Sequence, residues 1–180
     1  TLKTPSQKQA NEWRSMAEEL RYRGVLDESE EFYLKALDIN RLDYRIYVGL
    51  AITYLQSNQF DKAKNLLERS LPHAPVQEIN YKSYSYRLLG HIYACEESYS
   101  EALSVLRASV KLSPSYTDGY YDYAQYMALA GGKDESLELL RKALGKPLYF
   151  SLAQKEKNFE SILWDVQSLL FTIALTGKLS

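Results

Sequence analysis

Residues 44–77 read YRIYVGLAITYLQSNQFDKAKNLLERSLPHAPVQ, and one helical spacing runs through them twice. In the first half Tyr47, Leu50, Ala51 and Tyr54 fall at i, i+3, i+4 and i+7, a single apolar face at the helical period. Past Asn58, the residues Ala63, Leu67, Ser70 and Leu71 resume that spacing, and Pro75 closes the stretch where a missing amide costs little. The reading is two amphipathic helices joined by a tight turn.

The pattern recurs along the chain. A frame beginning at Ala10 gives Trp13, Met16, Ala17, Leu20, Gly24, Ser29, Tyr33, Ala36 and Leu37. After five extra residues a third copy gives Tyr86, Leu89, Gly90, Tyr93, Glu97, Ala102, Leu106, Ser109, Val110 and Pro114. A further 34 residues on come Tyr120, Tyr123, Ala124, Met127, Gly131, Ser136, Leu140, Ala143 and Leu144. A fixed period of this size marks stacked helix pairs, each burying its apolar face against its neighbours. The spacing predicts helices near 8–22, 26–38, 43–56, 60–71, 78–95, 99–111, 117–129 and 134–144. Small residues at Ala17, Ala51, Gly90 and Ala124 are expected to face Ser29, Ala63, Ala102 and Ser136 where the two helices of a pair approach most closely. Gly24, Asn58 and Gly131 sit in the turns, where tolerance of positive φ is useful. Asn40 with Asp43, Asn58 with Asp61, Ser98 with Glu101 and Ser115 with Asp118 have the spacing of N-terminal capping boxes. Tyr33, Tyr47, Tyr54, Tyr86, Tyr93 and Tyr120 are expected in the core.

These positions resemble the tetratricopeptide repeat family: an aromatic, Leu with Gly or Ala, Tyr, a turn Gly, a small residue, Ala-Leu and Pro. The likeness covers residues 10 to 150. Arg41 and Leu148 stand where the pattern has Pro, and Glu97 replaces the turn Gly. The resemblance implies an all-α fold, a right-handed α-α superhelix or solenoid of four helix pairs with a C-terminal capping helical segment. The expected division is a lead-in at 1–9, repeats at 10–43, 44–77, 83–116 and 117–150, and a capping region at 151–180. The segment 78–82 is an insertion that lengthens the fifth helix at its start. Residues 158–165 resemble the tail that follows such arrays, with Phe159 and Val166 where prolines would stand. Phe159, Ile162, Leu163, Val166, Leu169, Leu170 and Ile173 trace one stripe, expected to dock near Leu140 and Leu144. A terminal repeat normally has a polar outer face, so this apolar segment needs a cover.

Composition narrows the function. The chain has 180 residues, and 22 Lys and Arg against 23 Asp and Glu leave a net charge of -1, unlike the basic excess of nucleic-acid binders. Cys95 is the single cysteine, which excludes an internal disulfide framework and a thiolate zinc cluster. No basic-then-apolar leader precedes Lys8, and no uncharged apolar run is long enough to span a bilayer. A cytoplasmic location is the expectation, with the periplasm or a soluble domain of a longer protein as alternatives. His73 and His91 lack a third metal ligand at useful spacing. Cys95, four residues after His91, has no orienting acid or oxyanion arrangement beside it. Neither catalysis nor a cofactor is expected.

Binding is expected instead. By the resemblance, the groove of such an array is lined by first helices, and the positions facing it include Arg14, Arg21 and Tyr22 in the first copy. The second copy offers Arg45, Val48, Ile52 and Leu55, the third Tyr84, Arg87 and His91, and the fourth Tyr121 and Gln125. Arginine forks suit carboxylates or main-chain carbonyls, and tyrosines bury ring area while keeping a polar handle. This set fits a peptide or protein partner with some negative charge and apolar anchors. An alternative is that the arginines pair with Glu18 and Asp118. The family's clamp for a C-terminal carboxylate is not reproduced at Arg14, Glu18, Gly49, Tyr84 and Leu88. The rival from another class is self-assembly as a homo-oligomer through 158–175.

Overall fold

A computed structural model describes residues 4–177 of the chain. The described residues contain no strand; they form ten α-helices with short 3-10 segments between some of them. In order these are α1 (Pro5–Tyr22), α2 (Leu26–Ile39), α3 (Tyr44–Gln56), α4 (Phe60–Ser70), α5 (Ile79–Cys95), α6 (Tyr99–Leu112), α7 (Thr117–Leu129), α8 (Lys133–Ala143), α9 (Pro147–Ala153) and α10 (Leu163–Thr176). The chain divides into two compact units within α5, one ending at Ser85 and the other beginning at Tyr86.

In the first unit α1 packs on α2, α2 on α3 and α3 on α4. Ala17, Ala51 and Ala63 are fully buried, as is Ser29, whose hydroxyl donates to the Ala17 carbonyl at 2.8 Å. Tyr33, 2% exposed, lies so close to Gly49 that a Cβ there would clash with its phenol end. In the second unit α6 packs on α7 and α7 on α8. Ser136 makes the same bond to Ala124, at 2.7 Å, and a Cβ on Gly90 would stand 2.8 Å from Leu106 Cγ. The small residues therefore set how near two helices come, because close-packed interiors leave no room for an added methyl.

Four helix ends share one backbone device. Gly24, Asn58, Glu97 and Gly131 all have positive φ, between 58° and 86°. Their amides bond to the carbonyls of Arg21, Leu55, Ala94 and Ala128. The next amides, of Val25, Gln59, Ser98 and Gly132, reach back to Leu20, Tyr54, Tyr93 and Met127 at 2.8–2.9 Å. This is the Schellman pattern, which satisfies last-turn carbonyls and reverses the chain within two residues.

The expected capping boxes do not form at these turns. Ser98 caps α6 without a side-chain bond, Gln59 takes the cap of α4, and Tyr116 takes that of α7. The left-handed turn leaves Gln59 and Ser98 with ψ of 61° and 66°. At Thr4, where ψ is 158°, the side chain does reach the third helical amide. There Thr4 and Gln7 make a reciprocal box ahead of α1. At α3 Asp43 is itself the cap, accepting from the Arg45 amide at 3.2 Å. Of the tyrosines expected in the core, Tyr33 and Tyr54 are buried, while Tyr47, Tyr86, Tyr93 and Tyr120 stay partly exposed at pair edges.

The segment after α8 is helical and joins the second unit's core. Tyr149 and Ala153 from α9, Phe159 and Ile162 from the 3-10 turn Lys157–Ile162, and Val166, Leu169 and Leu170 from α10 cluster with Leu140 and Leu144. The chain turns before α10, and that helix runs unbroken through Asp165.

Candidate binding faces on the first helices

In the first unit one carboxylate organises the face of α1 and α3. Asp43 is 7% exposed and receives the Arg45 guanidinium as a fork, Nε on Oδ1 at 2.7 Å and Nη2 on Oδ2 at 2.6 Å. Arg14 Nε lies 3.9 Å from the same Oδ2, and Arg14 Nη1 pairs with Glu18 at 3.2 Å. Arg45 Nη2 also reaches Asn11 Oδ1 at 3.5 Å. A carboxylate this enclosed is tolerable only because a bidentate fork satisfies it. The side chain of Arg45 remains 39% exposed, against 17% for Arg14. Beyond it, Ile52 and Leu55 are partly exposed, whereas Val48 at 7% is packed away. Tyr22 is 74% exposed, with the Arg21 guanidinium 4.4 Å over its ring. Tyr84, on α5, is half-buried.

The second unit holds a denser polar network. Arg87 Nε donates to Asp122 Oδ2 at 2.7 Å, and its Nη1 lies 3.8 Å from Asp118 and 3.2 Å from the Tyr116 hydroxyl. Asp118 also accepts from Lys146 Nζ at 2.6 Å and from the Tyr149 hydroxyl. Burial alone would push the Asp118 carboxyl up, but hydrogen bonds from Lys146, Tyr116 and Tyr149 and the Arg87 charge hold it at about 2. Asp122 goes the other way: burial raises it despite Arg87. His91 is exposed and bonds through Nδ1 to the Tyr126 hydroxyl at 3.0 Å. Cys95 Sγ lies 3.7 Å from His91 Nε2, but burial and the charge of Glu96 push its thiol up. That leaves little thiolate near neutrality, and nothing here activates a nucleophile. Among the described residues no group of three or more His, Cys, Asp or Glu could hold a metal ion.

Tyr121 and Gln125 are covered by the chain's own tail. Tyr121, 4% exposed, stacks on Tyr149 at 4.4 Å and meets the edge of Phe159 at 6.0 Å. Gln125 Oε1 accepts from Asn158 Nδ2 at 2.9 Å. These two, with Val48, are buried packing residues rather than open lining. Arg14 and Arg87 stand at the same place in their frames, and both are spent largely on carboxylates of this chain, the alternative the sequence left open. Arg45, Ile52, Leu55, Tyr22 and His91 keep accessible surface. The spacing pattern missed Asp43, Asp122, Tyr116 and Tyr126, which fix the arginines and the histidine. Only the capping-box spacing from Asn40 to Asp43 marked one of them.

The profile described as tetratricopeptide repeat matches residues 22–83. Over 88 residues, 49% of this chain, the sequence is 28% identical to the BBSome complex member BBS4 of Bos taurus. Over 109 residues, 61% of this chain, it is 26% identical to BBS4 of Mus musculus. These stretches are only 16% and 20% of those proteins. Among solved structures, a MamA protein superposes with a TM-score of 0.71 at 20% identity, covering 93% of this chain and 91% of its own. YrrB, described as a TPR protein with an unusual peptide-binding site, gives 0.61 at 20% identity, with 91% and 90% covered. TTC0263, a thermophilic TPR protein of Thermus thermophilus, gives 0.65 at 21% identity, with 92% and 90% covered. At these identities the structural likeness is one of fold.

Proposed function

From the premise that this chain carries tetratricopeptide repeats, we propose that it is a non-catalytic module that binds a protein or peptide segment, serving as adaptor, scaffold or assembly factor. The observation that carries this reading is Arg45. Asp43 and Asn11 engage its Nε and Nη2, so the guanidinium is held in one orientation while its Nη1 donors remain for an acceptor on a ligand. Ile52 and Leu55, a little further along α3, offer partly exposed apolar surface to the same ligand. A segment with a carboxylate or main-chain carbonyls near apolar side chains matches that pairing. The peptide-binding site described for YrrB supports the general reading and says nothing of these residues. We propose a cytoplasmic location on the strength of the single thiol at Cys95.

Capture on the immobilised chain supplies the partner, and titration then compares Arg45→Ala and Ile52→Ala with Lys64→Ala and Lys111→Ala. Weaker binding in the first two alone, with unchanged melts, supports the face. Loss of affinity confined to the two lysine variants would sink it. Attraction to Arg45 should also fade as salt rises, because exposed charges are screened.

A further inference from the structure

Helix α10 can be set in register with the second helices of the four pairs. Val166, fully buried, takes the place of Ser29, Ala63, Ala102 and Ser136. Leu170 then takes that of Tyr33, Leu67, Leu106 and Leu140, all of them buried. In this register the outward row of α8 is Asp134, Glu138 and Arg141, and that of α4 is Asp61, Asn65 and Glu68, every one exposed. The same row of α10 is Trp164, Ser168, Phe171 and Leu175. Trp164 is 81% exposed, Phe171 65% and Leu175 70%. They fall at i, i+7 and i+11, on one side of the helix. The tail covers α8 at Leu140 and Leu144, a face different from its outward row.

We propose that this row is an interface between two copies of the chain, formed by antiparallel pairing of their α10 helices. The inference goes beyond peptide binding and does not depend on it. The row carries no charge. The one charged residue of α10, Asp165, lies off the row and pairs with Lys133 of its own chain at 3.6 Å. A partner chosen by charge would have nothing to read, whereas an apolar row can match itself about a two-fold axis. Ser168 supplies a shallow place between Trp164 and Phe171, so in the antiparallel arrangement a partner's ring can seat over it. Trp164, Phe171, Leu175 and the part-exposed Leu163 leave roughly 500 Å² per copy, given the area of such side chains. Two copies together bury about 1,000 Å², the lower limit for a specific interface. Phe159 and Leu169 already lie in the protein's own core and are not part of the contact.

Sedimentation of the intact chain from about 1 to 100 µM should show a concentration-dependent dimer. Phe171→Glu should weaken it at least about tenfold, while Arg141→Glu, on the matching row of α8, leaves it unchanged. Dichroism melts at the lowest concentration confirm that each variant is folded. If Phe171→Glu fails to fold, Trp164→Ala and Leu175→Gln make the same comparison. In a Cys95→Ser background, Ser168→Cys should give a covalent dimer with a short thiol-to-thiol cross-linker and Glu138→Cys should not. A chain that stays monomeric throughout overturns the proposal. So does a dimer that survives all three folded row variants, or one cross-linked equally well through position 138.

Discussion

The Ser136 hydroxyl donates to the main-chain carbonyl of Ala124 at 2.7 Å, across the closest approach of α7 and α8. Ser29 and Ala17 repeat the bond in the first pair, while Ala63 and Ala102 fill the matching site with a methyl. Ser136→Ala should therefore cost only about 1 kcal/mol, the net worth of one neutral hydrogen bond. Ala63→Trp or Ala102→Trp overpacks the contact and should cost about 3 kcal/mol or more. Lys62→Trp, one residue along on the exposed side of α4, should stay within about 0.5 kcal/mol of wild type. Chemical denaturation of the four variants checks the order, and equal losses at positions 62 and 63 would mean the register is wrong.

Acid should reach the second unit through Asp118. Its carboxyl is held at about 2 in the folded chain, below its ordinary value of about 4, so the unfolded chain binds more protons between those limits. The stabilisation is complete above about pH 4 and fades as pH falls toward about 2. Asp118→Asn should thus be less stable than wild type at neutral pH, with the gap closing across that window. Urea melts at several pH values read it, and a gap independent of pH would remove Asp118 from the account.

Glu97 occupies a turn position that Gly24 and Gly131 fill elsewhere, at a φ of 59°. A side chain there carries a strain of about 1 kcal/mol that glycine avoids, partly offset by glycine's freer unfolded chain. Glu97→Gly should raise the melting temperature slightly, and Gly131→Ala should lower it. Calorimetry decides both, and a fall on Glu97→Gly would show that the Glu97 side chain itself stabilises the turn.

Two aromatics of the tail, five residues apart, should behave oppositely. Phe159 is fully buried against Tyr121, and Phe159→Ala should cost about 3–5 kcal/mol of monomer stability. Trp164→Ala removes a side chain that is 81% exposed and should leave the monomer's melt nearly unchanged at low concentration. The same contrast makes deletion of 156–180 damaging, since it uncovers Leu140 and Leu144.

The helices were legible because each is set by residues within a few positions of itself. The run from Leu26 and the close match of Ala17 to Ser29 needed only the 34-residue spacing and a helical period. Glu97 in the left-handed turn was legible too, from its place in the frame rather than its chemistry. The candidate binding face was not. Whether Arg87 is available depends on Asp122, 35 positions away, and whether Tyr121 is open depends on Tyr149, beyond α8, and on Phe159, outside the repeats. Spacing says which side of a helix a residue occupies, but not what the neighbouring chain brings there. The capping boxes at Asn58 and Ser98 failed for a related reason, because the left-handed turn fixes the backbone angle that aims the cap.

Tyr33 fills the space above Gly49 so fully that the order in which the two positions change matters. A mutational path that takes Gly49→Ala first passes through a chain whose ring and methyl claim the same volume. A path that takes Tyr33→Leu first reaches the side chain already present at Leu67, Leu106 and Leu140, and only then opens the way for Gly49→Ala. Descendants of this sequence should therefore lose the tyrosine before they lose the glycine, and intermediates made in the opposite order should be the less stable ones, by about 1–3 kcal/mol.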